Sequence, residues 1–411
     1  MTSAFFFGTV ITIYLLINAY MLARLSSMLK GAGFLRLLAC AVFCLFAASF
    51  PASRAVSGIF PAAADFLFIL GSLYLAPMIH GFLLTVAADL LRLLNYHVAL
   101  TSNPPPYSQN RRENTVAVIL LFSLALSFAG GVNASFPVAR EIGIQLGGEY
   151  GYRPPVRIAL VSDLHLGKIR SLARLERITN LIKSKNPDIV LIAGDTVDDA
   201  AWLRSSARRN ETAALMSSLR PRLGVWAVPG NHDYYAGIEE SNGFLRSCGI
   251  RVLMDEWAVP GGEFILIGRD DRTVMRSGRE RAALGAIIAR AKLATGEEPA
   301  RLPIVVLDHQ PVRLEEAQDA GAALQLSGHT HKGQIFPANL VVSAIFEKYY
   351  GPYRKGETYY YITSGAGTWG PPVRTTGRPE VVFIDLERDP RLARLRHHCF
   401  TLASLAVLSV L

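Results

Sequence analysis

VRIALVSDLH, Val156 to His165, opens on aliphatic residues and ends on a serine, a carboxylate and an imidazole. A short apolar run bounded by polar residues predicts a buried strand, and the polar groups then fall where the backbone leaves the sheet. The pattern recurs down the chain. Ile189 to Ala193 precedes GDTVDD at Gly194 to Asp199, and Val225 to Val228 precedes GNHD at Gly230 to Asp233. Ile304 to Leu307 precedes DHQP at Asp308 to Pro311, and Leu324 to Leu326 precedes GHTH at Gly328 to His331. Further strands fit Phe264 to Ile267, Tyr359 to Thr363 and Val381 to Ile384, with helices at Leu172 to Lys185, Ile238 to Cys248 and Glu280 to Leu293. Strands alternating with amphipathic helices predict an α/β domain over residues 150–390, and open α/β sheets bind ligands at their strand ends.

The histidines sharpen that expectation. The chain has nine, and the five between residues 150 and 390, His165, His232, His309, His329 and His331, all lie in these motifs. A lone histidine is more often packed or on the surface than a ligand. Five, each within two residues of a Gly or Asp at an expected strand end, point to a metal site. Residues i and i+2 after a strand project to the same side, so Asp-x-His and His-x-His can each serve one site. Asp, His and Asn without cysteine suit manganese, iron or zinc rather than a thiolate site. The four cysteines, Cys40, Cys44, Cys248 and Cys399, have no metal-type spacing and read as no disulfide framework.

Outward from these motifs the composition changes. The 411 residues are 51% hydrophobic and 18% charged, too apolar for one soluble domain and too charged for a pure membrane bundle. Disorder, collagen and coiled coil are excluded. The apolar excess lies before about residue 137, in four stretches: Ala4 to Leu22, Leu37 to about Pro51, Phe66 to Ala87, and Val116 to Phe136. Three can cross a bilayer core, which needs about 20 apolar residues. The second is weaker and fits a tilted span or a re-entrant piece; four spans are favoured, making residues 1–140 a membrane domain. The first lacks a charged start and a small-residue cleavage site, so it reads as an uncleaved span. Asn18 and His80, inside apolar segments, are expected to bond neighbouring helices. The Asn103 to Tyr107 segment, NPPPY, reads as a stiff loop.

The net charge is +9, and residues 1–140 hold eight Lys and Arg against three Asp and Glu, hence five of those nine charges. Membrane flanks explain this more simply than nucleic acid. Arg24, Lys30 and Arg36 follow the first stretch and Arg92, Arg111 and Arg112 the third, against Arg54 alone after the second, so the first and third loops are expected in the cytoplasm. Four spans then put the α/β domain outside it. The tail, residues 391–411, sets RLARLRHH before an apolar run too short for a span, and fits an interfacial or a packing helix.

The order DxH, GD, GNHD, H, GHxH, from about Val156 to Leu386, resembles the calcineurin-like metallophosphoesterases. The ending GAGTWGPPVRTTGRPEVVFIDL, Gly365 to Leu386, resembles their membrane-anchored or exported bacterial subgroup. The resemblance implies a four-layer double β-sandwich flanked by helices and two divalent metals sharing a carboxylate. Position by position it implies that Asp163, His165 and His331 bind one metal, that Asn231, His309 and His329 bind the other, and that Asp195 bridges. His232 then lies outside the metal ligands. Held by Asp233 beside it, it would hydrogen-bond the phosphate and protonate the leaving oxygen. Two such metals acidify a bridging water and clamp the phosphoryl oxygens, so no serine or cysteine nucleophile is needed.

Departures narrow the subgroup. Protein serine/threonine phosphatases of the superfamily carry GDxVDRG and RGNHE, whereas GDTVDDAA and PGNHD stand here. Soluble UDP-diacylglucosamine pyrophosphatases usually carry Arg at the place of His232. Asp198 and Asp199 read as caps of the following helix. Arg374 and Arg378 are candidates for a second phosphate or a headgroup. The stretch Phe336 to Tyr353, with Phe346, Tyr349, Tyr350 and Tyr353, reads as a lid, a membrane-facing lip or core packing.

The expected function is a membrane-bound dinuclear-metal phosphohydrolase, cleaving a phosphomonoester or phosphodiester at the inner membrane, with a lipid-linked phosphate favoured and manganese or iron/zinc as metals. The expected partners are a phosphorylated substrate and the membrane, with neither nucleic acid nor a protein partner. A UDP-diacylglucosamine-type pyrophosphatase is the alternative within the class. Outside it stands a non-catalytic membrane sensor of a phosphorylated ligand, which missing ligands would signal; none is missing. A transporter fits poorly, because the spans are poor in charge and show no inverted repeat.

Overall fold

The computed structural model describes residues 3–98, 109–147, 150, 153–167, 169, 172–199, 202, 206–296 and 302–388. The NPPPY segment and the tail from 389 onward lie outside the described residues. The chain forms two compact units, Met1–Asn133 with Gly370–Thr375, and Ala134–Trp369 with Thr376–Leu411.

The first unit contains α1 (Ser3–Met28), α2 (Phe34–Val56), α3 (Pro61–Val98) and most of α4 (Gln109–Ser135). All four helices are long and apolar enough to cross a membrane. Their outer faces carry Leu16, Leu37, Phe66, Leu121 and Phe128, while Ser49, Ser53, Ser72, His80 and Thr85 are buried. That is the inverse of a water-soluble bundle. It suits lipid, where helices associate through small and polar residues. As expected, Asn18 and His80 bond neighbouring helices: the Tyr74 hydroxyl donates to Asn18 Oδ1 (2.6 Å), and His80 Nδ1 lies 2.9 Å from Ser127 Oγ. Gly71 lets α3 close on α2, since a Cβ there would fall 2.6 Å from the Phe50 nitrogen. The weak second stretch is a full helix of 23 residues that runs through Pro51.

The second unit follows as β1 (Val138–Leu146), β2 (Arg153–Val161), α5 (Leu172–Ser184), β3 (Ile189–Ala193), α6 (Ser206–Ser217), β4 (Val225–Val228), α7 (Asn231–Ala236), α8 (Ile238–Ser247), β5 (Arg251–Val252), β6 (Glu256–Ala258), β7 (Ile265–Gly268), α9 (Leu284–Thr295), β8 (Ile304–Leu307), α10 (Glu315–Asp319), β9 (Leu324–Ser327), α11 (Ala338–Ile345), β10 (Gly351–Lys355), β11 (Thr358–Ile362) and β12 (Glu380–Arg388). Two six-stranded mixed sheets result, ordered β1-β12-β2-β3-β4-β5 and β10-β11-β9-β8-β7-β6. In the first, β2 to β5 are parallel and β12 runs against β2. In the second, β7, β8, β9 and β11 are parallel, with antiparallel β6 and β10 at the edges.

The period of two along each strand builds the layers. Ile158 and Leu160 of β2 join Leu266, Leu307 and Leu326 in a core between the sheets. Ala159 and Val161 point the other way, onto Leu175 and Ile178 of α5 and Phe244 of α8. On the far sheet Ile265, Val306 and Tyr360 meet Ile287 and Ile288 of α9. The result is helices, sheet, sheet, helices. Most expected strands fall within a residue or two of their sequence assignments. The addition is β1, which runs parallel to β12 with Val138 opposite Glu380 and Leu146 opposite Arg388.

Candidate metal centre

The carboxyl ends of β2, β3, β8 and β9 come together because their loops continue the sheet ladders. Asp163 N–H donates to the Gly194 carbonyl (3.0 Å), His165 N–H to Asp195 (3.0 Å) and Gly328 N–H to His309 (2.9 Å). These turns are strained. Asp163, His165, Asp195, His329 and His331 all have φ between 48° and 72°. Non-glycine residues enter that region at a cost of about 1–3 kcal/mol each, and such outliers cluster at functional sites. The glycines of the motifs answer a different need. A Cβ on Gly230 would fall 2.1 Å from Asp195 Oδ1, and one on Gly328 1.9 Å from Ser162 Oγ and 2.5 Å from Asp163 Oδ2.

Two groups of donors converge there, Asp163 with His165 and His331, and Asp195 with His309 and His329; within each group the ligand atoms lie within 4.8 Å of one another. His331 Nε2 is 3.3 Å from Asp163 Oδ1 and 2.9 Å from His165 Nε2, and His165 Nε2 is 3.8 Å from Asp195 Oδ2. Asp195 thus lies beside both groups. In the second, His309 Nδ1 faces the Ala193 carbonyl (2.7 Å). A carbonyl only accepts, so Nδ1 carries the proton and Nε2 presents its lone pair. That Nε2 lies 3.1 Å from Asp195 Oδ2 yet is buried without a hydrogen bond, as is Asn231 Oδ1. Buried acceptors left unpaired are costly unless a cation or proton completes them.

The electrostatics carry the same demand. Burial pushes the Asp163 carboxyl up. Burial also works on Asp195, but His309 beside it holds that carboxyl well below the usual range. Burial disfavours charge on His309, and the Asp195 and Asp163 carboxylates nevertheless raise it well above its ordinary value. His329, buried and beside His309, falls to about 4. A cation held between these carboxylates and imidazoles would balance the charge of this desolvated centre. Its donors are oxygen and nitrogen with no sulfur, which fits manganese, iron or zinc.

The geometry corrects two expectations. Asp233 does not hold His232: its carboxylate turns inward to accept from the amides of Gly230 (2.8 Å), Val197 (2.9 Å) and Thr196 (3.3 Å). It fixes the loops after β3 and β4 instead. Asp198, read as a helix cap, lies in the centre, with Oδ1 2.6 Å from His165 Nδ1 and 2.9 Å from His232 Nδ1. Burial opposes the charge on both His232 and Asp198, but Asp198 and Asp195 raise His232, while His165 first and His232 after it hold the Asp198 carboxyl far down. The only cue in the sequence is that Asp198 follows Asp195 at the same strand end; metal-ligating histidines commonly take such a carboxylate on their other ring nitrogen.

His232 donates its backbone N–H to Asp195 Oδ1 (2.8 Å), and its ring, 18% exposed, packs edge-on to Tyr235 (5.4 Å between centroids) and Trp369 (5.9 Å). Phe346 meets His329 at 5.9 Å. The other aromatics of that stretch serve the fold: Tyr353 packs on Tyr360, the Tyr350 hydroxyl donates to Glu380, and Tyr349 offers its carbonyl to Thr330. The arginines expected to hold substrate sit otherwise. Arg374 groups with the first unit and is fully buried, its amide donating to the Gly130 carbonyl, so its guanidinium has no surface to offer a phosphate. Arg378 is exposed and reaches the Phe136 carbonyl at 3.5 Å.

Comparison with known proteins agrees with this geometry. The calcineurin-like phosphoesterase family model matches residues 156–333. The chain is 33% identical over 246 residues to a zebrafish transmembrane protein with a metallophosphoesterase domain, covering 57% of this chain and 53% of that one. It thus spans about half the length of that relative. An uncharacterised metallophosphoesterase of Aquifex aeolicus is 32% identical over 234 residues, 56% of this chain and 85% of the relative. The Escherichia coli phosphodiesterase YaeI is 30% identical over 244 residues, 56% of this chain and 82% of the relative.

Proposed function

Since the chain belongs to the calcineurin-like metallophosphoesterases, we propose that it is a membrane-bound dinuclear phosphohydrolase whose substrate is a phosphate ester carried by a lipid. The observation that carries this reading is the convergence of two donor groups on Asp195, with His309 Nε2 3.1 Å from its Oδ2 and, like Asn231 Oδ1, buried without a hydrogen bond. Asp163, His165 and His331 would hold one divalent ion, Asn231, His309 and His329 the other, with Asp195 shared. Manganese, iron and zinc suit that donor set. Bound there, two such ions would activate a water and neutralise charge on the phosphoryl oxygens.

The chain's own residues supply the rest. His232, oriented through Nδ1 by Asp198, has Nε2 free to hydrogen-bond the phosphate and to give a proton to the departing oxygen. Its backbone N–H steadies Asp195, so one residue serves both the bridge and the leaving group. Asp198 also orients His165, tying the acid to the first metal's ligand.

The lipid assignment is supported by the four apolar helices. Anchoring confines the site to the surface where a lipid phosphate resides and raises its effective concentration. The loop charges support an extracytoplasmic catalytic unit. Full-length protein in vesicles, loaded with manganese, tests the reading against a chromogenic phosphomonoester, a chromogenic phosphodiester and phosphatidic acid. Metal-dependent turnover lost in His232→Ala is expected. Bound metal with no turnover of any ester would favour a sensor, and turnover of the soluble esters alone would remove the lipid. A reporter fused after Leu386 should be active only outside the cytoplasm.

A further inference from the structure

Helix α11, Ala338–Ile345, is amphipathic in the wrong sense for a water-soluble protein. None of its eight residues is buried. Leu340, Val341, Ala344 and Ile345 share one face, as positions one and four apart do on a helix, and that face is outermost: Leu340 and Val341 are 58% exposed and Ile345 69%. Phe336 just before it and Trp369 add exposed rings. These segments form one built surface. Gln334 donates from Nε2 to the Trp369 carbonyl (2.7 Å) and accepts the Trp369 N–H on Oε1 (2.8 Å), clamping the Trp loop to the turn that leads into the helix.

The surface continues into the metal centre. Phe346, at the end of α11, meets His329, and Trp369 meets His232. An aliphatic helix face edged by Phe and Trp, with Lys348 three residues after Ile345, has the composition of an interfacial element and differs from the scattered apolar residues of an ordinary surface. A bilayer is at hand, because α4 has the length and hydropathy of a span and only Phe136 and Pro137 separate it from β1.

We propose that the outward face of α11, with Phe336 and Trp369, seats in the interfacial layer of a lipid bilayer and so holds the mouth of the metal centre at headgroup level. The proposal deepens the lipid-phosphate reading and rests on it for the substrate, whereas the docking is measurable without turnover. Substrate would then reach His232 and the metal ligands from the headgroup layer, its acyl chains remaining in lipid beside α11.

The test uses the full chain in phosphatidylethanolamine and phosphatidylglycerol vesicles. Leu340→Cys and Ile345→Cys carry an environment-sensitive fluorophore, with Glu240→Cys on the exposed part of α8 as the comparison and labelled wild type as background. Emission at 340 and 345 is expected to shift to the blue and to be quenched by spin-labelled lipid, while position 240 is not. Absence of quenching at 340 and 345 overturns the proposal, as would be seen if a protein partner or a second copy covered the face. In parallel, the double variant Leu340→Ser/Ile345→Ser should keep turnover of a chromogenic phosphodiester within about twofold and lose about tenfold or more on vesicle-borne phosphatidic acid. Quenching without any phosphatidic acid turnover leaves the docking standing and removes the lipid substrate. Phosphatidic acid turnover that is indifferent to the double variant, with no quenching, does the reverse.

Discussion

His232 Nδ1 lies 2.9 Å from the Asp198 carboxylate, while Asp233, its neighbour in sequence, faces the opposite way into three backbone amides. The proposed acid and its orienting carboxylate therefore come from different strand ends, and Asp198 couples His232 to His165 through one oxygen. A proton donor needs a fixed tautomer, and a metal ligand needs its distal nitrogen held. Under the proposed roles of His232 and His165, one carboxylate does both.

Asp198→Asn should accordingly lower turnover by about 10–100-fold and weaken metal binding in the same variant. Asp233→Asn should act differently, lowering thermal stability through the loops after β3 and β4, with little change in the pH dependence of the turnover that remains. Steady-state kinetics over pH and metal content by mass spectrometry separate the two. If Asp233→Asn reproduced the Asp198→Asn pH profile, the assignment of partner would be wrong.

Asp195 and His232 divide the chemistry in another way. The Asp195 carboxylate lies beside donors of both groups, so Asp195→Asn should reduce the affinity for both metals together. His232→Ala should retain metal and lose about 10²–10⁴-fold in turnover, the usual worth of a general acid. Metal stoichiometry after dialysis is the deciding measurement. Equal metal loss in the two variants would refute the split.

Close packing makes a third contrast. A methyl group at Gly328 would lie 1.9 Å from Ser162 Oγ and 2.5 Å from a carboxylate oxygen of Asp163, so Gly328→Ala must displace a ligand and should abolish metal-dependent activity. Gly243, inside α8, has nothing within 4 Å of an added Cβ. Gly243→Ala should be stabilising by about 0.4–1 kcal/mol, through reduced freedom of the unfolded chain. Thermal unfolding and activity of the pair would expose an error in either placement.

The strands that carry the site were legible in the sequence because each is a short, mostly apolar run ending in a metal-type motif; Ile189–Ala193, Val225–Val228 and Ile304–Leu307 have the bounds expected. The histidine motifs stand out by residue type and spacing, the resemblance names the seven candidate ligands on them, and six of the seven fall into two of the three carboxylate–histidine groups. What the sequence hid depends on partners far away in the chain. β1 carries Arg140, Glu141 and Gln145 on a polar edge and becomes a strand only by pairing with β12, some 240 residues on. Asp198 resembles any acidic residue before a helix until the fold brings His232 to it. Arg374 follows Pro371 and Pro372 in a stretch that reads as a substrate rim, whereas its side chain is interior.

Glu380 provides the last test, because it links the strand scaffold to the metal turn. Only 2% exposed, it accepts from the Thr363 hydroxyl (3.0 Å), the Ser364 amide (3.0 Å), the Tyr361 hydroxyl (3.3 Å), the Tyr350 hydroxyl (3.1 Å) and Arg140 Nε (3.1 Å). The chain it fixes continues into Gly365, Ala366 and Gly367, whose last two amides bond the Ser162 and Asp163 carbonyls at 2.9 Å. Glu380→Ala would strand those donors inside the fold; Arg140 is half exposed and recovers water, so most of the loss comes from the buried hydroxyls and the amide. A destabilisation of about 3 kcal/mol or more is expected. Because the Asp163 backbone hangs from the same turn, metal affinity should fall alongside it. Denaturant unfolding and metal titration of the variant should therefore move together, and a stable Glu380→Ala protein with unaltered metal binding would sever the link between β12 and the site.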